Sequence, residues 1–370
     1  MKKVLTAVLA LIIILCGCGA KGEEAFIEQS PEPEITYAPS DFSDRLGATP
    51  LIPEAEPDDS LAGKLPSLLT GEYVDEDIAR ARPIAVVINN LNKALPQSGI
   101  SQAGIYYEVL AEGDITRIIA VFQGATSEKI GPVRSARDYF IRFALDNGAI
   151  LAHHGGSDQA YAQIKSMNIQ DIDGMKFDGT LYWRDPVRVS QPGMYEHSSY
   201  TNAANLLKAA EKLGYPTVAE EGAKPLFSYY AVPTVPDGGE TADIVRVPFA
   251  ASIKAYFEYD ETTKLYKRFE YGNPQIDEET GEQLSVTNII IQSAKINEIA
   301  GDPYGRRAVQ LVGSGTGWLC TAGVYIPIKW TKADDYSPTQ WFTEDGAALR
   351  LNTGKTWICV LQSEKAPGFE

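Results

Sequence analysis

Basic residues, histidines and cysteines are all scarce in this sequence. Its 370 residues contain 33 Lys and Arg against 49 Asp and Glu, a formal net charge of −16, with three His and four Cys. Binding to nucleic acid and to anionic lipid headgroups both depend on basic surfaces. The composition therefore predicts no nucleic-acid partner, although it leaves room for a local basic pocket.

Long hydrophobic runs are also rare, and the longest is Val4–Leu15. It is shorter than the roughly 20 residues that a membrane-spanning helix needs, and two lysines precede it, as in a secretory signal. Leu15-Cys16-Gly17-Cys18 follows and matches a bacterial lipobox. Cys18 is the better acceptor of diacylglycerol, because small Gly17 precedes it. We predict a signal peptide over residues 1–18 and an extracytoplasmic protein whose acyl chains attach it to the cell membrane.

Beyond the lipobox, the remaining cysteines are Cys320 and Cys359. An exported protein is permitted a disulfide, and closing a loop of this length would contribute roughly 3–4 kcal/mol in the chain-entropy model. The alternative is two buried free thiols. Both interpretations stay open at this point.

The composition changes twice along the chain. Residues 19–75 are rich in proline and acidic residues, which predicts a disordered tether. Residues 76–220 mix apolar strand-like runs with helical patterns, whereas residues 221–370 contain short strand-like segments and turns. We predict an α+β protein in which a mixed α/β N-terminal domain over residues 76–220 precedes a mainly β C-terminal domain over residues 221–370.

Individual elements follow from the same patterns. The run PIAVVIN predicts a buried strand over residues 83–89, and Gly313-Ser314-Gly315 predicts a turn. Further strands are expected at 105–110, 115–122 and 150–152, and helices at 135–146, 157–165 and 202–213.

The richest candidate site lies in Gly131-Pro132-Val133-Arg134-Ser135-Ala136-Arg137. Ser135 is the expected N-cap of a helix, whose first turn offers free N–H donors. The guanidinium groups of Arg134 and Arg137 match phosphate or carboxylate geometry. These features predict an anion pocket, and the alternative is that both arginines pair with carboxylates of the chain itself.

A second turn, His153-His154-Gly155-Gly156-Ser157, has a similar composition. Its glycines permit close backbone approach and Ser157 can cap the following helix. Together with other arginines, the predicted anion-binding residues are Arg117, Arg134, Ser135, Arg137, Gly155, Gly156, Ser157, Arg184 and Arg188.

The residue pattern predicts no cofactor and identifies no catalytic residue. Adjacent histidines in a strand point to opposite faces, so hydrogen-bonded packing is expected for most of the three. His197, Glu108 and Asp114 are weak candidates for metal ligands, and acid–base chemistry by His197 stays open.

Several motifs resemble those of the YerB-like lipoproteins, from about residue 67 to the C-terminus. They include Arg82-Pro83-Ile84-Ala85-Val86-Val87-Ile88-Asn89-Asn90, Pro96-Gln97-Ser98-Gly99, Gly131-Pro132-Val133-Arg134-Ser135-Ala136-Arg137, Gly155-Gly156-Ser157 and Gly354-Lys355-Thr356-Trp357. The resemblance implies a lipid-anchored, two-part extracytoplasmic protein, chiefly of Gram-positive bacteria, whose biochemical role is not established. The sequence departs from the family around His197, where Glu196 and Ser198 replace the usual neighbours.

Two functions are compatible with these features. The first is a lipoprotein that binds an anionic, phosphate- or carboxylate-bearing polymer or small anion of the cell envelope. The alternative is a phosphotransferase or hydrolase that uses Mg²⁺ or Mn²⁺ on envelope glycopolymers or lipid pyrophosphates, similar in outline to the LytR-CpsA-Psr enzymes. In that case Asp138, Glu108 or Asp114 would hold the metal. A surface protein is a further possible partner, bound through the β-rich half.

Overall fold

One 11-stranded sheet runs through both halves of the chain. The computed structural model describes residues 61–370, so the predicted signal peptide, Cys18 and most of the tether lie outside the described residues. Along the path of hydrogen-bonded neighbours the sheet contains Glu240–Thr241, Val324–Lys332, Gly313–Thr321, Asn288–Ala294, Thr356–Gln362, Ile105–Glu112, Ile115–Phe122, Ile84–Asn89, Ile150–His153 and Asp171–Asp173, and Gln340–Thr343 pairs with Val324–Lys332 off this path.

In chain order, the N-terminal half contains nine strands and six α-helices. The strands are β1 (Lys64–Pro66), β2 (Tyr73–Asp75), β3 (Ile84–Asn89), β4 (Ile105–Glu112), β5 (Ile115–Phe122), β6 (Ile150–His153), β7 (Asp171–Asp173), β8 (Trp183–Arg184) and β9 (Ser199–Tyr200). The helices are α1 (Glu76–Arg80), α2 (Phe140–Asp146), α3 (Asp158–Ser166), α4 (Gly174–Phe177), α5 (Pro186–Val189) and α6 (Ala203–Lys212), with 3₁₀ turns at Asn92–Ala94, Ile100–Gln102 and Tyr195–His197.

The C-terminal half is built from strands. They are β10 (Ser228–Tyr229), β11 (Glu240–Thr241), β12 (Ile244–Val247), β13 (Ala255–Asp260), β14 (Leu265–Glu270), β15 (Asn273–Pro274), β16 (Ser285–Val286), β17 (Asn288–Ala294), β18 (Ile296–Glu298), β19 (Arg307–Val309), β20 (Gly313–Thr321), β21 (Val324–Lys332), β22 (Gln340–Thr343), β23 (Arg350–Leu351), β24 (Thr356–Gln362) and β25 (Gly368–Phe369). A mixed N-terminal part and a β-rich C-terminal part confirm the predicted α+β class.

The two halves join where β24 pairs in parallel with β4 on one side and with β17 on the other. The described residues, 61–370, accordingly belong to one compact unit. The predicted boundary at residue 220 lies in the loop between α6 and β10 and stays a prediction, since the central sheet continues across both halves. No helix of the described residues is long and apolar enough to cross a membrane.

Both faces of the sheet are covered, which explains the unbroken apolar run in β3. Val86 and Ile88 face a core shared with α6, β13 and β14, whereas Ala85 and Val87 face a core shared with α2 and α3. Every residue of β3 is buried. The strand expected at residues 83–89 is therefore confirmed, with bounds Ile84–Asn89.

Three sequence predictions need correction. The helix expected at 135–146 begins only at Phe140. Residues 134–136 hydrogen-bond to other parts of the fold, since the amide of Arg134 donates to the Val87 carbonyl and that of Ala136 donates to the Gly155 carbonyl.

The turn expected at 313–315 lies inside β20. A Cβ on Gly315 would approach the Trp330 ring on β21 to 2.6 Å, so this glycine makes room for the indole.

The third correction shortens the tether. Residues 64–66 and 73–75, which the sequence analysis assigned to it, pair as β1 and β2, and Leu69 between them is buried. Folded structure thus begins before Asp75.

Cys320 and Cys359 are buried free thiols, not a disulfide. They lie on β20 and β24, and β17 runs between these strands: Ile289 pairs with Cys320 and Ile291 pairs with Cys359. Two strand spacings amount to roughly 9–10 Å, which exceeds the Cα separation that a disulfide spans.

A fully buried ion network links the halves beside the β4–β24 junction. Arg268 of β14 donates to Glu108 of β4 at 2.8 Å and to Glu270 at 2.6 Å, and all three side chains are inaccessible to solvent. The Trp357 indole of β24 also donates to Glu108 at 3.0 Å. Burial raises the pKa of both carboxyl groups, so their ionised state depends on the guanidinium.

We predict that Arg268→Met lowers the free energy of unfolding by about 3–5 kcal/mol, because it leaves two buried carboxylates without their cation. Urea denaturation followed by circular dichroism measures the change. The matched control is Arg246→Met, which breaks the exposed pair with Glu370 and should cost at most about 1 kcal/mol. If Arg268→Met does not fold, the triple variant with Glu108→Gln and Glu270→Gln should restore folding. A loss no larger than the control's would contradict the prediction.

His197 is a buried packing residue. Its Nδ1 lies 2.6 Å from the Asn89 amide nitrogen, which donates to it when the imidazole is neutral. Burial and then the charge of Arg134 lower the pKa of His197 to about 4. The unfolded chain takes up this proton near pH 6.5, so the contribution of His197 to stability is complete above pH 6.5 and is lost as the pH falls towards 4.

We therefore predict that His197→Gln loses less stability between pH 7.5 and pH 4.5 than the wild type does, by about 2 kcal/mol. Denaturant titrations at the two pH values give the comparison, and acidic groups common to both proteins cancel. Equal pH dependence of the two proteins would show that His197 is not responsible.

Candidate functional site

A cavity of about 610 Å³ brings together most of the arginines singled out in the sequence. Its walls come from the loops at residues 133–137 and 154–156, from neighbouring strands and helices of the N-terminal half, and from the β18–β19 hairpin of the C-terminal half. The lining residues are Glu112, Arg117, Val133, Arg134, Ser135, Arg137, His154, Gly155, Gly156, Tyr161, Met175, Arg184, Tyr195, Glu196, Tyr304 and Arg306.

Two loops at the ends of strands form the floor. Residues 134–136 run beside residues 154–156, since the amide of His154 donates to Arg134 and that of Ala136 donates to Gly155. Gly155 adopts a φ of +76°, a left-handed conformation that favours glycine. Its amide donates to Asp173 at 3.0 Å, which fixes the turn. The two turns therefore lie side by side, and no helix begins at Ser135, the expected N-cap.

Glu112 holds two of the arginines in place. Its carboxylate pairs with Arg117 and, at 2.7 Å, with Arg137, and Arg117 also donates to the Ser135 carbonyl at 2.7 Å. Burial opposes ionisation of Glu112, but the charges of Arg117 and Arg137 outweigh it and hold the pKa of Glu112 below its usual value. Burial and the neighbouring charge of Arg137 lower the pKa of Arg117 to about 9. For Arg137, the alternative of an internal salt bridge is what the structure contains, and Arg117 is paired with the same carboxylate.

Arg134 has a weaker internal partner. Its guanidinium donates to the Glu196 carbonyl and lies 3.4 Å from the Glu196 carboxylate, whose side chain is 74% exposed. An exposed partner at this distance neutralises little charge, because water screens it. Arg134 therefore retains capacity to bind an external anion.

Arg184 is held in the cavity lining by contacts that compensate little of its charge. It lies over the Tyr195 ring at 4.5 Å, donates to the Tyr195 carbonyl at 3.0 Å, and is 4.0 Å from the nearest carboxylate, Asp178. Its Nη2 is 3.3 Å from His154 Nε2. Burial and then the Arg184 charge lower the pKa of His154, so the imidazole is neutral and accepts this hydrogen bond. The proton consequently sits on Nδ1, which faces the Ser199 hydroxyl.

The C-terminal half contributes Tyr304 and Arg306, which sequence reasoning missed. The β18–β19 hairpin docks on the β4–β5 turn, where the amide of Gly113 donates to Gly305 at 3.0 Å and Arg307 donates to the Gly113 carbonyl at 2.6 Å. These residues lie more than 100 positions along the chain from the other lining residues, and no local motif marks them.

The lining is strongly cationic for so acidic a chain. Five arginines and two glutamates line it and His154 is neutral, while Asp302, outside the lining, pairs with Arg306 at 3.1 Å. The backbone amides of Ser135 and Gly156 add donors, since neither donates a hydrogen bond to an acceptor among residues 61–370. Chemically, this arrangement suits a ligand that accepts charged hydrogen bonds, such as phosphate or carboxylate.

Other predicted site residues lie elsewhere. Ser157 caps α3 through the Ala160 amide, as expected for its capping role, but does not line the cavity. Arg188 is buried and donates to the carbonyls of Ala94 and Pro96.

The weak metal candidates do not converge. Glu108 is in the buried ion network, Asp114 is in the exposed β4–β5 turn, and His197 packs against Asn89. Within the described part of the chain, no group of three or more His, Cys, Asp or Glu side chains is placed to hold a metal ion. His153 is likewise a hydrogen-bonded packing residue, bound to Asp171 and to the Gly155 carbonyl.

Comparison with known proteins matches both halves to one family of unknown function. Residues 69–216 match the DUF3048 N-terminal domain and residues 245–358 match the DUF3048 C-terminal domain. The curated protein named "Putative lipoprotein YerB" of Bacillus subtilis (strain 168) is 36% identical over 316 residues, covering 83% of this chain and 89% of the relative. The crystal structure of YerB protein from Bacillus subtilis aligns with a TM-score of 0.73 at 35% identity, covering 83% of this chain and 100% of that one. The chain therefore belongs to the YerB-like family, whose two parts are the DUF3048 domains of unknown function.

Proposed function

We propose that this protein is an extracytoplasmic lipoprotein that binds an anionic component of the cell envelope in the arginine-lined cavity. The observation that carries the proposal is the convergence of five arginines on one cavity in a chain of net charge −16. A structural role accounts for Arg117 and Arg137, which Glu112 neutralises. It does not account for Arg134 and Arg184, whose charges point into the same space with little internal compensation.

The geometry favours recognition of phosphate or carboxylate. Guanidinium groups donate in pairs to such oxygens, and hydrogen bonds to charged groups contribute more than neutral ones. The free amides of Ser135 and Gly156 supply further donors from the floor. Partial burial of Arg134 and Arg184 strengthens these interactions, because water screens them less than it would at an open surface.

The location follows from the N-terminal sequence and from the relative. Leu15-Cys16-Gly17-Cys18 has the form of a lipobox, and the Bacillus subtilis relative bears a lipoprotein name. Acyl chains on Cys18 would hold the protein at the outer face of the membrane, since each buried CH₂ contributes about 0.8 kcal/mol. The accessible anions there are those of envelope polymers and their precursors.

Binding is preferred to metal-dependent phosphotransfer because the carboxylates proposed for the metal are not in the cavity. Glu108 and Asp114 lie elsewhere, and Asp138 does not line the walls. The carboxylate that does line the floor, Glu112, is already shared by two arginines.

We predict that Arg134→Ala weakens the binding of inorganic phosphate by about tenfold or more, since a hydrogen bond to a charged group contributes about 1.5–3 kcal/mol. Isothermal titration calorimetry on the detergent-solubilised protein at low ionic strength measures the affinity. Arg134 suits the test because, within residues 61–370, its side chain hydrogen-bonds only to the exposed Glu196, so its removal should change the stability of the fold little.

Arg350→Ala is the matched control, since Arg350 is exposed on β23 and lies outside the cavity. It should leave phosphate affinity unchanged. Equal phosphate affinity for wild type and Arg134→Ala, or no phosphate binding by the wild type, would reject the anion site.

A further inference from the structure

We infer that the ligand of the cavity is a phosphorylated carbohydrate, with its phosphate on the arginines and its sugar ring against Tyr195 and Tyr304. This inference rests on the proposed function and specifies the ligand class. It draws on observations separate from the arginines, namely the size of the cavity and the side chains at its rim.

The cavity is much larger than a single phosphate ion. Its volume is about 610 Å³. It falls within the range of about 300–1,000 Å³ typical of small-molecule sites. A ligand that fills it must therefore carry a sizeable group beyond the anion.

Several large, partly apolar side chains that line the cavity are exposed to solvent. Tyr161, Tyr195 and Tyr304 are 39%, 58% and 67% exposed, and Met175 beside them is 60% exposed. Exposed large apolar side chains grouped around one concave site mark a binding surface. The faces of tyrosine rings pack well against the C–H faces of a sugar while the hydroxyl groups stay in contact with water.

Two of these rings are held in position by arginines that line the cavity. Arg184 lies 4.5 Å from the centroid of Tyr195, and Arg306 lies 4.5 Å from the centroid of Tyr304. Asp302 pairs with Arg306 at 3.1 Å, so Arg184 is the cation available to an anionic end of a ligand, and both rings are available to its ring. Because each arginine contacts its ring while the rings remain more than half exposed, surface for a ligand is left on both.

The remaining polar groups at the rim favour a neutral, hydroxylated ring over a second charge. The Glu196 carboxylate is 74% exposed and would repel a further phosphate, whereas sugar hydroxyls can donate to it. The Tyr161 hydroxyl donates to Asp173 at 2.9 Å, which leaves its oxygen free to accept. A monophosphate on a sugar therefore fits the charge distribution better than a polyphosphate does.

The test compares glucose 1-phosphate, glucose, inorganic phosphate and uridine monophosphate by calorimetry on the detergent-solubilised full chain. We expect glucose 1-phosphate to bind at least tenfold more tightly than inorganic phosphate, and glucose alone to bind weakly. The double variant Tyr195→Ala/Tyr304→Ala should lose about tenfold affinity for glucose 1-phosphate and less than threefold for inorganic phosphate. Tyr336→Ala, which removes a ring 59% exposed outside the cavity, is the control and should change neither.

The outcomes separate the two proposals. If inorganic phosphate binds through Arg134 but glucose 1-phosphate gains nothing, or if the tyrosine variant loses both ligands equally, the carbohydrate inference is wrong and the anion site stands. Tighter binding of uridine monophosphate than of glucose 1-phosphate would assign the rings to a base and also overturn it. If neither phosphate nor glucose 1-phosphate binds, the anion site fails and the carbohydrate inference fails with it.

Discussion

The parallel pairing of β24 with β4, beside the buried Glu108–Arg268 ion pair, is the constraint on which the rest of the structure depends. It makes one sheet out of two family domains and brings the C-terminal half against the end of β4. The β18–β19 hairpin can then dock on the β4–β5 turn and carry Tyr304 and Arg306 to the cavity. Because a buried charge is costly without its partner, this arrangement also disfavours any other register between the halves.

Four of the five arginines that line the cavity fall into two groups. Arg117 and Arg137 are fixed by Glu112 and act as part of the scaffold, so their charge is largely balanced from within. Arg134 and Arg184 are oriented by carbonyl groups, an aromatic ring and a neutral histidine. Their carboxylate partners, Glu196 and Asp178, lie 3.4 and 4.0 Å away and compensate little of their charge. Orientation without neutralisation is what an anion-binding site requires, since the donors are then preorganised and their charge remains available.

Much of the strand pattern and part of the site could be predicted from the sequence. The run in β3 identifies a doubly buried strand, and Ser157 caps α3 as its position suggests. Part of the cavity lining was predictable because Arg134 and Arg137 occur in one Gly-containing turn and Gly155 and Gly156 in another. The start of α2 was missed because residues 134–136 bond to neighbouring strands, a tertiary effect that helical periodicity cannot reveal. For the same reason, the separation of Cys320 from Cys359 by β17 depends on strand order, which spacing along the chain does not encode.

Because the β18–β19 hairpin belongs to the C-terminal half, the cavity is completed late in the synthesis of the chain. A nascent chain that has emerged only as far as α6 possesses the arginine-bearing loops but lacks the wall that Tyr304 and Arg306 supply. It also lacks β24, the neighbour that covers the edge of β4. The walls of the cavity are therefore complete only when the C-terminal half has been made, and a shorter polypeptide has the arginine-bearing loops without a closed cavity around them.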